Sequence, residues 1–205
     1  TLPDGDTVTF TYDANNQVTS STDEAGVVTS YEYDSMGRIT RASDTAGNTM
    51  TYEYDISGNL VKQTDTIGRS AVYEYDRFNR LTAVTGTDLA TTRYAYDTLD
   101  RLTGITLADN TATIYEYDKT GNLIKTTEPG EAVYTYTYDA ISRLTGKVDP
   151  LGAATRFVYD PAGNLTGTTD AEGAERAYAY DAVNRMIAER DGRGGVTGYE
   201  YDELS

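Results

Sequence analysis

The dipeptide Tyr-Asp recurs every twenty-one residues along the chain, and no insertion or deletion disturbs its spacing. The ten copies are Tyr12-Asp13, Tyr33-Asp34, Tyr54-Asp55, Tyr75-Asp76, Tyr96-Asp97, Tyr117-Asp118, Tyr138-Asp139, Tyr159-Asp160, Tyr180-Asp181 and Tyr201-Asp202. A fixed period of this length is typical of repeat architectures, in which each unit packs against its neighbours. The spacing predicts a single array of about ten repeats over residues 1–205, and favours a surface, tube or shell over a single reactive cleft.

Each repeat contains two stretches with the composition of a short β-strand. An aromatic residue stands two positions before the tyrosine of every copy, as Tyr31 stands before Tyr33, and alternation with period two puts both rings on one face. The residue between them, often a glutamate such as Glu32, faces the other way. An aliphatic residue such as Ile39, usually followed by a β-branched residue, begins the second stretch.

Two turns separate these stretches. The aspartate of Tyr-Asp is predicted to initiate the first, because its side chain can hydrogen-bond the backbone two residues on and a residue that tolerates positive φ, such as Gly37, follows three positions later. The second turn is clearest at residues 44–47, Asp-Thr-Ala-Gly, and decays in the middle repeats, as at residues 87–89, Thr-Asp-Leu. Each repeat is therefore predicted to be a β-hairpin, and ten repeats predict about twenty antiparallel strands with no helix.

A sheet of about twenty strands is not expected to stay flat and open, since large sheets twist and their free edges pair with other chains. The expected fold class is all-β, with tandem 21-residue hairpins forming a continuous antiparallel sheet wound as a spiral shell or tube. The chain begins and ends inside a repeat, so we expect it to be an excerpt of a longer repeat protein.

The amino-acid composition argues against several classes of partner and of chemistry. The net charge of −16 argues against nucleic acid and anionic membrane surfaces as partners, because both bind through Lys and Arg. The chain has neither Cys nor His, so it lacks a thiolate, a disulfide framework and the commonest general base. No apolar run is long enough to insert into a membrane, and the first ten residues lack a signal-peptide pattern.

Three rows of side chains have both a structural and a functional interpretation. The aspartates could bind calcium, but the clustered ligand pattern of a calcium loop is absent, which favours a turn-capping role. The glutamates could line a charged lumen or form a solvated face, with Arg38, Arg80 and their equivalents offsetting their charge across the hairpin. The tyrosines could stack against sugars, but their presence in every repeat favours a structural spine. We predict no cofactor, metal or catalytic site, and interpret the ten Tyr-Asp pairs as the structural signature of the repeat.

The repeat unit is similar to that of a known family. Its best copy, residues 31–40, reads Tyr-Glu-Tyr-Asp-Ser-Met-Gly-Arg-Ile-Thr. It resembles the YD repeat of Rhs proteins, of the C components of insecticidal toxin complexes, of bacterial wall-associated proteins and of teneurins. The resemblance implies a β-sheet spiral that forms a hollow shell, which encloses a C-terminal toxic domain in bacterial members and forms an extracellular adhesion domain in teneurins.

One motif of that family needs separate treatment. Residues 149–152, Asp-Pro-Leu-Gly, and 160–163, Asp-Pro-Ala-Gly, match the form of the aspartyl self-cleavage motif that the resemblance brings with it. The two copies lie closer together than the family's pattern requires, and each occupies an ordinary turn position of the repeat. We interpret both as turns.

The expected function is a structural YD-repeat shell segment that encloses or displays a cargo such as a toxin domain, with no catalysis of its own. The alternative is an extracellular filament or cell-surface adhesion module that binds glycans. The expected partners are neighbouring repeats of the same or identical chains, an enclosed toxin cargo or a glycan, with no nucleic acid and no membrane insertion. The resemblance implies a secreted or cell-surface protein, exported from a bacterium.

Overall fold

The computed structural model describes residues 8–202, so the opening residues, in which no signal-peptide pattern was found, lie largely outside the described part. Within it lie nineteen β-strands and no helix, as the repeat pattern predicts. Residues 8–202 accordingly contain no helix that is long and apolar enough to cross a membrane. The strands are β1 (Thr9–Tyr12), β2 (Val18–Thr22), β3 (Val28–Tyr33), β4 (Ile39–Asp44), β5 (Thr49–Tyr54), β6 (Leu60–Asp65), β7 (Ser70–Tyr75), β8 (Leu81–Thr85), β9 (Thr91–Tyr96), β10 (Leu102–Thr106), β11 (Ala112–Tyr117), β12 (Leu123–Glu128), β13 (Ala132–Tyr138), β14 (Leu144–Val148), β15 (Ala154–Tyr159), β16 (Leu165–Thr169), β17 (Glu175–Tyr180), β18 (Met186–Arg190) and β19 (Val196–Gly198).

Hydrogen bonding assigns these strands to one nineteen-stranded sheet, and each described pairing joins consecutive strands in antiparallel fashion. In the hairpin β3–β4, Glu32 lies opposite Arg41 and Tyr33 lies opposite Ile39, with a β-bulge between Glu32 and Tyr33. The same register shift recurs before the tyrosine of β5, β7, β11, β13, β15 and β17. The all-β prediction of tandem hairpins in an antiparallel sheet is confirmed.

The chain divides into two compact units. The first comprises Thr1–Asp100 with Ile105–Thr111, and the second comprises Arg101–Gly104 with Ala112–Ser205. Strands β1 to β9 belong to the first unit and β11 to β19 to the second, while β10 contributes residues to both.

The two faces of each hairpin differ as the alternation predicts. In β3, Tyr31 and Tyr33 are half-buried on one face, and Glu32 is exposed on the other. The same alternation is found in β5, β7, β9, β11 and β15.

The sheet has almost no buried core. Among the described residues only Ala83, 2 % exposed, and Thr126, 7 % exposed, are buried. The solvent-accessible surface is 13925 Å², whereas a compact monomer of 22.4 kDa would expose about 9,400 Å². Within each unit the strands therefore form a single layer, held together by cross-strand hydrogen bonds and by side chains lying along the sheet rather than by a second layer.

Candidate functional site: the two rows of turns

Two rows of turns carry the polar chemistry of this sheet. We call the five residues from the aspartate of Tyr-Asp onward the first turn, and the five residues that begin ten positions after that aspartate the second turn. In the first turn of residues 34–38, one oxygen of Asp34 accepts hydrogen bonds from the amides of Met36 (2.9 Å) and Arg38 (3.0 Å). Gly37, at φ 82°, donates its amide to the Asp34 carbonyl (3.0 Å).

This arrangement recurs with little change. The signature aspartates whose side chains accept amides within their own first turn are Asp13, Asp34, Asp55, Asp76, Asp97, Asp118, Asp139, Asp160 and Asp181. The turn that follows Asp202 extends beyond the described residues. The carboxylates thus face the backbone of their own turn, which is the role that sequence reasoning favoured over calcium binding.

These hydrogen bonds stabilise the charged form of the carboxylates. The backbone amide of Arg38, followed by its side chain, lowers the pKa of Asp34. The side-chain amide of Asn59 lowers the pKa of Asp55. The hydroxyl of Thr120 is the main cause that lowers the pKa of Asp118 to about 2. The carboxylates of Asp34, Asp55 and Asp118 are therefore ionised at neutral pH.

The tyrosines of the signature reach beyond their own hairpin. The hydroxyl of Tyr54 donates to the main-chain carbonyl of Ile39 at 2.9 Å, fifteen residues earlier. The tyrosines that make this bond are Tyr33, Tyr54, Tyr75, Tyr96, Tyr117, Tyr138, Tyr180 and Tyr201. Burial raises the pKa of the Tyr75, Tyr138 and Tyr180 hydroxyls, which keeps them protonated as donors. Tyr12 and Tyr159, the remaining signature tyrosines, end β1 and β15.

The residue at the end of the first turn links one repeat to the next. Arg80 donates from Nε to Asp76 in its own turn (2.7 Å) and from Nη1 to the carbonyl of Asp97 in the following turn (3.0 Å). Its guanidinium also lies over the ring of Tyr96, 4.9 Å from the centroid. The equivalent stacked pairs are Arg38 on Tyr54, Arg101 on Tyr117, Arg143 on Tyr159 and Arg185 on Tyr201. At two of the positions where asparagine replaces arginine, Asn59 bonds Asn79 (2.9 Å) and Asn164 bonds Asn184 (2.8 Å), whereas Asn122 bonds Asp118 and Thr120 in its own turn.

Most second turns share this backbone geometry but differ in their links to the next repeat; the turn at residues 128–132 differs, with both Gly130 and Glu131 at positive φ. The hydroxyl of Thr66 accepts the amide of Thr49 and donates to its carbonyl (3.1 Å). Thr87 makes the same pair of bonds with Ser70 (2.6 and 3.0 Å), and Thr45 accepts the amide of Val28 (3.3 Å). Later repeats have residues without a hydroxyl at this position, namely Ala108, Pro129, Pro150, Ala171 and Gly192.

The ion pairs on the exposed face correct one sequence-based expectation. The arginines of the first turn were expected to offset the glutamate row, but they bond the turn aspartates instead. The glutamates pair with a different set of cations, as in Glu32 with Arg41 (3.7 Å) and Glu53 with Lys62 (3.4 Å). These partners lie directly opposite each other across the hairpin, where cross-strand pairs interact most strongly.

The geometry shows no concentrated reactive site in the described part of the chain. No group of three carboxylates within residues 8–202 is placed to hold a metal ion. A groove of about 450 Å³ in the second unit is lined by residues that include Gly167, Glu175, Arg176, Ala177 and Arg190. In the Asp-Pro turns, Asp149 accepts the amide of Ala153 (2.9 Å) and Asp160 that of Asn164 (2.8 Å), which confirms that both motifs are ordinary turns.

Sequence reasoning missed the contacts that join the repeats. The tyrosines were predicted to form a structural spine, and the main-chain carbonyls that their hydroxyls bond have no side-chain signature in the sequence. The only trace in the sequence is a constant spacing of fifteen residues from the aliphatic residue, such as Leu81, to the tyrosine, here Tyr96.

Comparison with known proteins places the repeat in context. The family model described as Teneurin YD-shell matches residues 7–162, and the model described as RHS Repeat matches residues 159–196. A solved structure of TcdB2-TccC3-Cdc42 aligns over 90 % of this chain with a TM-score of 0.59 and 16 % identity, and this segment covers 13 % of that chain. No curated protein matches the chain.

Two further solved structures show the same likeness. TcdB2-TccC3 without its hypervariable C-terminal region aligns over 90 % of this chain and 13 % of its own, with a TM-score of 0.58 and 16 % identity. The Photorhabdus luminescens Tc holotoxin pore aligns over 90 % of this chain and 12 % of its own, with a TM-score of 0.59 and 15 % identity. At these identities the likeness shows a shared fold, and this chain spans about one eighth of those chains.

Proposed function

The chain belongs to the teneurin YD-shell family, and on that premise we propose that it is a segment of structural wall that encloses or displays a cargo, such as a toxin domain, without catalysis of its own. The ten Tyr-Asp pairs are the structural signature of that wall, and neighbouring repeats are its first partners. The proposed setting is secreted or at the cell surface.

The absence of a core among the described residues is the observation that carries this proposal. With only Ala83 and Thr126 buried, the sheet has no interior in which a reaction could be shielded from water. Its two faces are instead available to whatever lies on either side of it. A single layer whose consecutive repeats are joined by the same hydrogen bonds is suited to continuing over a large area, as a wall requires.

The proposal also includes a cargo that the wall encloses or displays. One of the structures that share this fold is named as a Tc holotoxin pore, which supports an analogous enclosed or displayed component here. Because the segment corresponds to about one eighth of those chains, the rest of the wall and the cargo would lie in other parts of a longer protein.

Cryo-electron microscopy of the full-length protein that contains this segment tests the proposal. We expect a closed hollow body with density inside it. A matched full-length variant that lacks the region after the last repeat should form the same body without that density. A flat or extended sheet open to solvent on both faces would overturn the enclosing role.

An extracellular filament or adhesion module is the second candidate. It is favoured by the unbroken 21-residue register, because a shell whose radius changes usually requires insertions between repeats. The same cryo-electron micrographs distinguish the two candidates, since a filament would appear as a long particle with an axial repeat and not as a closed hollow body. A glycan-binding role for this module is less well supported, because eight signature tyrosines already use their hydroxyls to bond the backbone, among them Tyr54 and Tyr96.

A further inference from the structure

One junction between consecutive repeats differs from its neighbours at the first turns. Before and after it, Arg101 and Arg143 donate to the main-chain carbonyl of the next signature aspartate, at 3.0 and 2.9 Å, and lie over the tyrosine that precedes that aspartate. Between the turns at residues 118–122 and 139–143, Asn122 takes the place of arginine, and its side chain bonds its own turn alone within the described part of the chain. We call this junction the seam.

The length of the opposing side chain explains the missing link. At the two other junctions with asparagine, Asn59 donates to Asn79 and Asn164 donates to Asn184, each twenty residues later (2.9 and 2.8 Å). Twenty residues after the asparagine of the seam stands Ser142, whose side chain is shorter and has no amide. Ser142 has positive φ (64°), as do Asn79 (62°) and Asn184 (64°). The three turns therefore share a backbone shape and differ in the reach of this side chain.

The two repeats that meet at the seam are joined unevenly along their length. At the first-turn end, the hydroxyl of Tyr138 donates to the carbonyl of Leu123 (2.9 Å), and no other side-chain hydrogen bond crosses the seam within residues 8–202. At the second-turn end, β12 and β13 pair at four positions, which reach Glu128 and Ala132, whereas β14 and β15 pair at three. The seam is therefore held mainly near the turn that connects its two strands.

We propose that the seam is a hinge, at which the first-turn ends of β12 and β13 separate while their second-turn end stays paired. Opening there breaks one side-chain hydrogen bond, whereas the junctions on either side must release a guanidinium from a carbonyl and from a ring. The buried Thr126 pairs with Tyr134 inside the ladder, in the part that stays closed. Local opening takes place where the fewest interactions must be broken.

The hinge is a property of the sheet itself and goes beyond the proposed wall function. In a wall that encloses a cargo, the seam is the place where the first-turn edge parts. In a filament, the same hinge is a point of bending. Exchange of backbone amides in the chain therefore tests the hinge whatever the shape of the particle, and loss of either proposal would leave the other standing.

Hydrogen–deuterium exchange of the protein, followed by mass spectrometry of overlapping peptides, tests the hinge. Segments 121–125 and 135–139 flank the seam at its first-turn end, and segments 142–146 and 156–160 are their equivalents at the next junction. Because one net hydrogen bond changes an opening equilibrium about fivefold, we expect the segments at the seam to exchange about fivefold faster after correction for intrinsic rates. Segment 127–133, at the closed end of the hinge, should exchange no faster than its own equivalent at the next junction.

Substitutions at position 142 test the cause of the hinge. Ser142→Asn supplies the side-chain amide present at the other asparagine junctions, and we expect exchange at the seam to slow to the rate of the next junction. Ser142→Gly is the matched control, because glycine also accepts positive φ but offers no amide, and we expect exchange to stay fast. Asn184→Ser makes the reverse change, and we expect segments 163–167 and 177–181 to exchange about fivefold faster.

Two results would overturn the hinge. One is equal exchange at the seam and at the next junction in the natural chain. The other is equal slowing by Ser142→Asn and Ser142→Gly, which would place the cause in the turn backbone and not in the missing link between side chains. Neither substitution removes a hydrogen bond that the Ser142 side chain makes within residues 8–202, so we expect both variants to fold.

Discussion

Most first and second turns reverse the chain in the same way, yet within residues 8–202 the first turns carry more links to their neighbours than the second turns do. In both rows an amide near the end of the turn bonds the side chain of its leading aspartate, as Arg38 bonds Asp34 and Asn48 bonds Asp44 (2.8 Å). First turns add tyrosine, arginine and asparagine links to the next repeat. Among the hydrogen bonds within residues 8–202, second turns add such links at Thr45, Thr66 and Thr87.

This difference accounts for the pattern of variation within the chain. The leading aspartate of the second turn is replaced by Gly86, Leu107 and Glu128. The turns at Gly86 and Leu107 still close, with Leu89 and Asn110 in the positive-φ position. The aspartate of the first turn is never replaced in ten copies. Turn formation alone tolerates substitution, so the constant Tyr-Asp pair reflects the additional task of holding one repeat against the next.

The substitution with the largest expected effect on stability removes a whole aromatic ring from the first-turn row. In Tyr96→Ala, the half-buried ring beneath Arg80 and the bond to the Leu81 carbonyl are both lost. We expect the free energy of unfolding to fall by about 2–3 kcal/mol, below the range for a fully buried aromatic residue because the ring is partly exposed. Urea unfolding followed by circular dichroism measures it. A loss no larger than that of a second-turn threonine would contradict the greater role of the first row.

Removing one hydroxyl isolates the hydrogen bond from the ring. Tyr96→Phe leaves the Leu81 carbonyl without its donor, and we expect a loss of about 1 kcal/mol in the free energy of unfolding. Tyr94→Phe is the matched control on the same strand, because the Tyr94 hydroxyl makes no hydrogen bond within the described residues. Equal effects of the two substitutions in urea unfolding would show that the bond to the carbonyl contributes nothing.

In the second-turn row, removing a threonine hydroxyl should lower the stability of the sheet and adding one should raise it. Thr66→Val keeps the shape of the side chain but removes its bonds to Thr49, and we expect a loss of about 0.5–1 kcal/mol in the free energy of unfolding. Ala171→Thr places a hydroxyl in the equivalent turn of the second unit, where we expect a gain of up to about 0.5 kcal/mol. A destabilising Ala171→Thr would show that the threonine link depends on more than its position in the repeat.

The sequence alone predicts the strands, turns and faces because these depend on local chemistry. Period-two alternation places Tyr31, Glu32 and Tyr33 correctly, and the positive-φ position at Gly37 is legible from residue type. The links between repeats were not predicted, because their acceptors are main-chain carbonyls such as those of Leu81 and Asp97. Every residue has such a carbonyl, so only the bulge and the register decide which one a side chain reaches.

The smallest expected effect on stability concerns the charge of one first turn. The hydroxyl of Thr120 donates to Asp118 at 2.7 Å and is the main cause of its pKa of about 2. Because this value lies below the ordinary pKa of about 3.9 in the unfolded chain, the contribution of Asp118 is complete above about pH 4 and is lost as the pH falls towards 2.

Thr120→Val therefore should raise the pKa of Asp118 towards its ordinary value and shift the loss of its contribution to higher pH. Nuclear magnetic resonance titration of the Asp118 carboxyl carbon measures the pKa, and its turn amides, Thr120 and Asn122, report whether the turn persists. Asp109 in a second turn accepts the hydroxyl of Thr111 at 2.7 Å in the same way, so Thr111→Val is the matched variant. Similar rises at both sites would show that the two rows share their local electrostatics and differ only in the links between repeats. An unchanged pKa of Asp118 in Thr120→Val would leave the backbone amides and Asn122 as its cause.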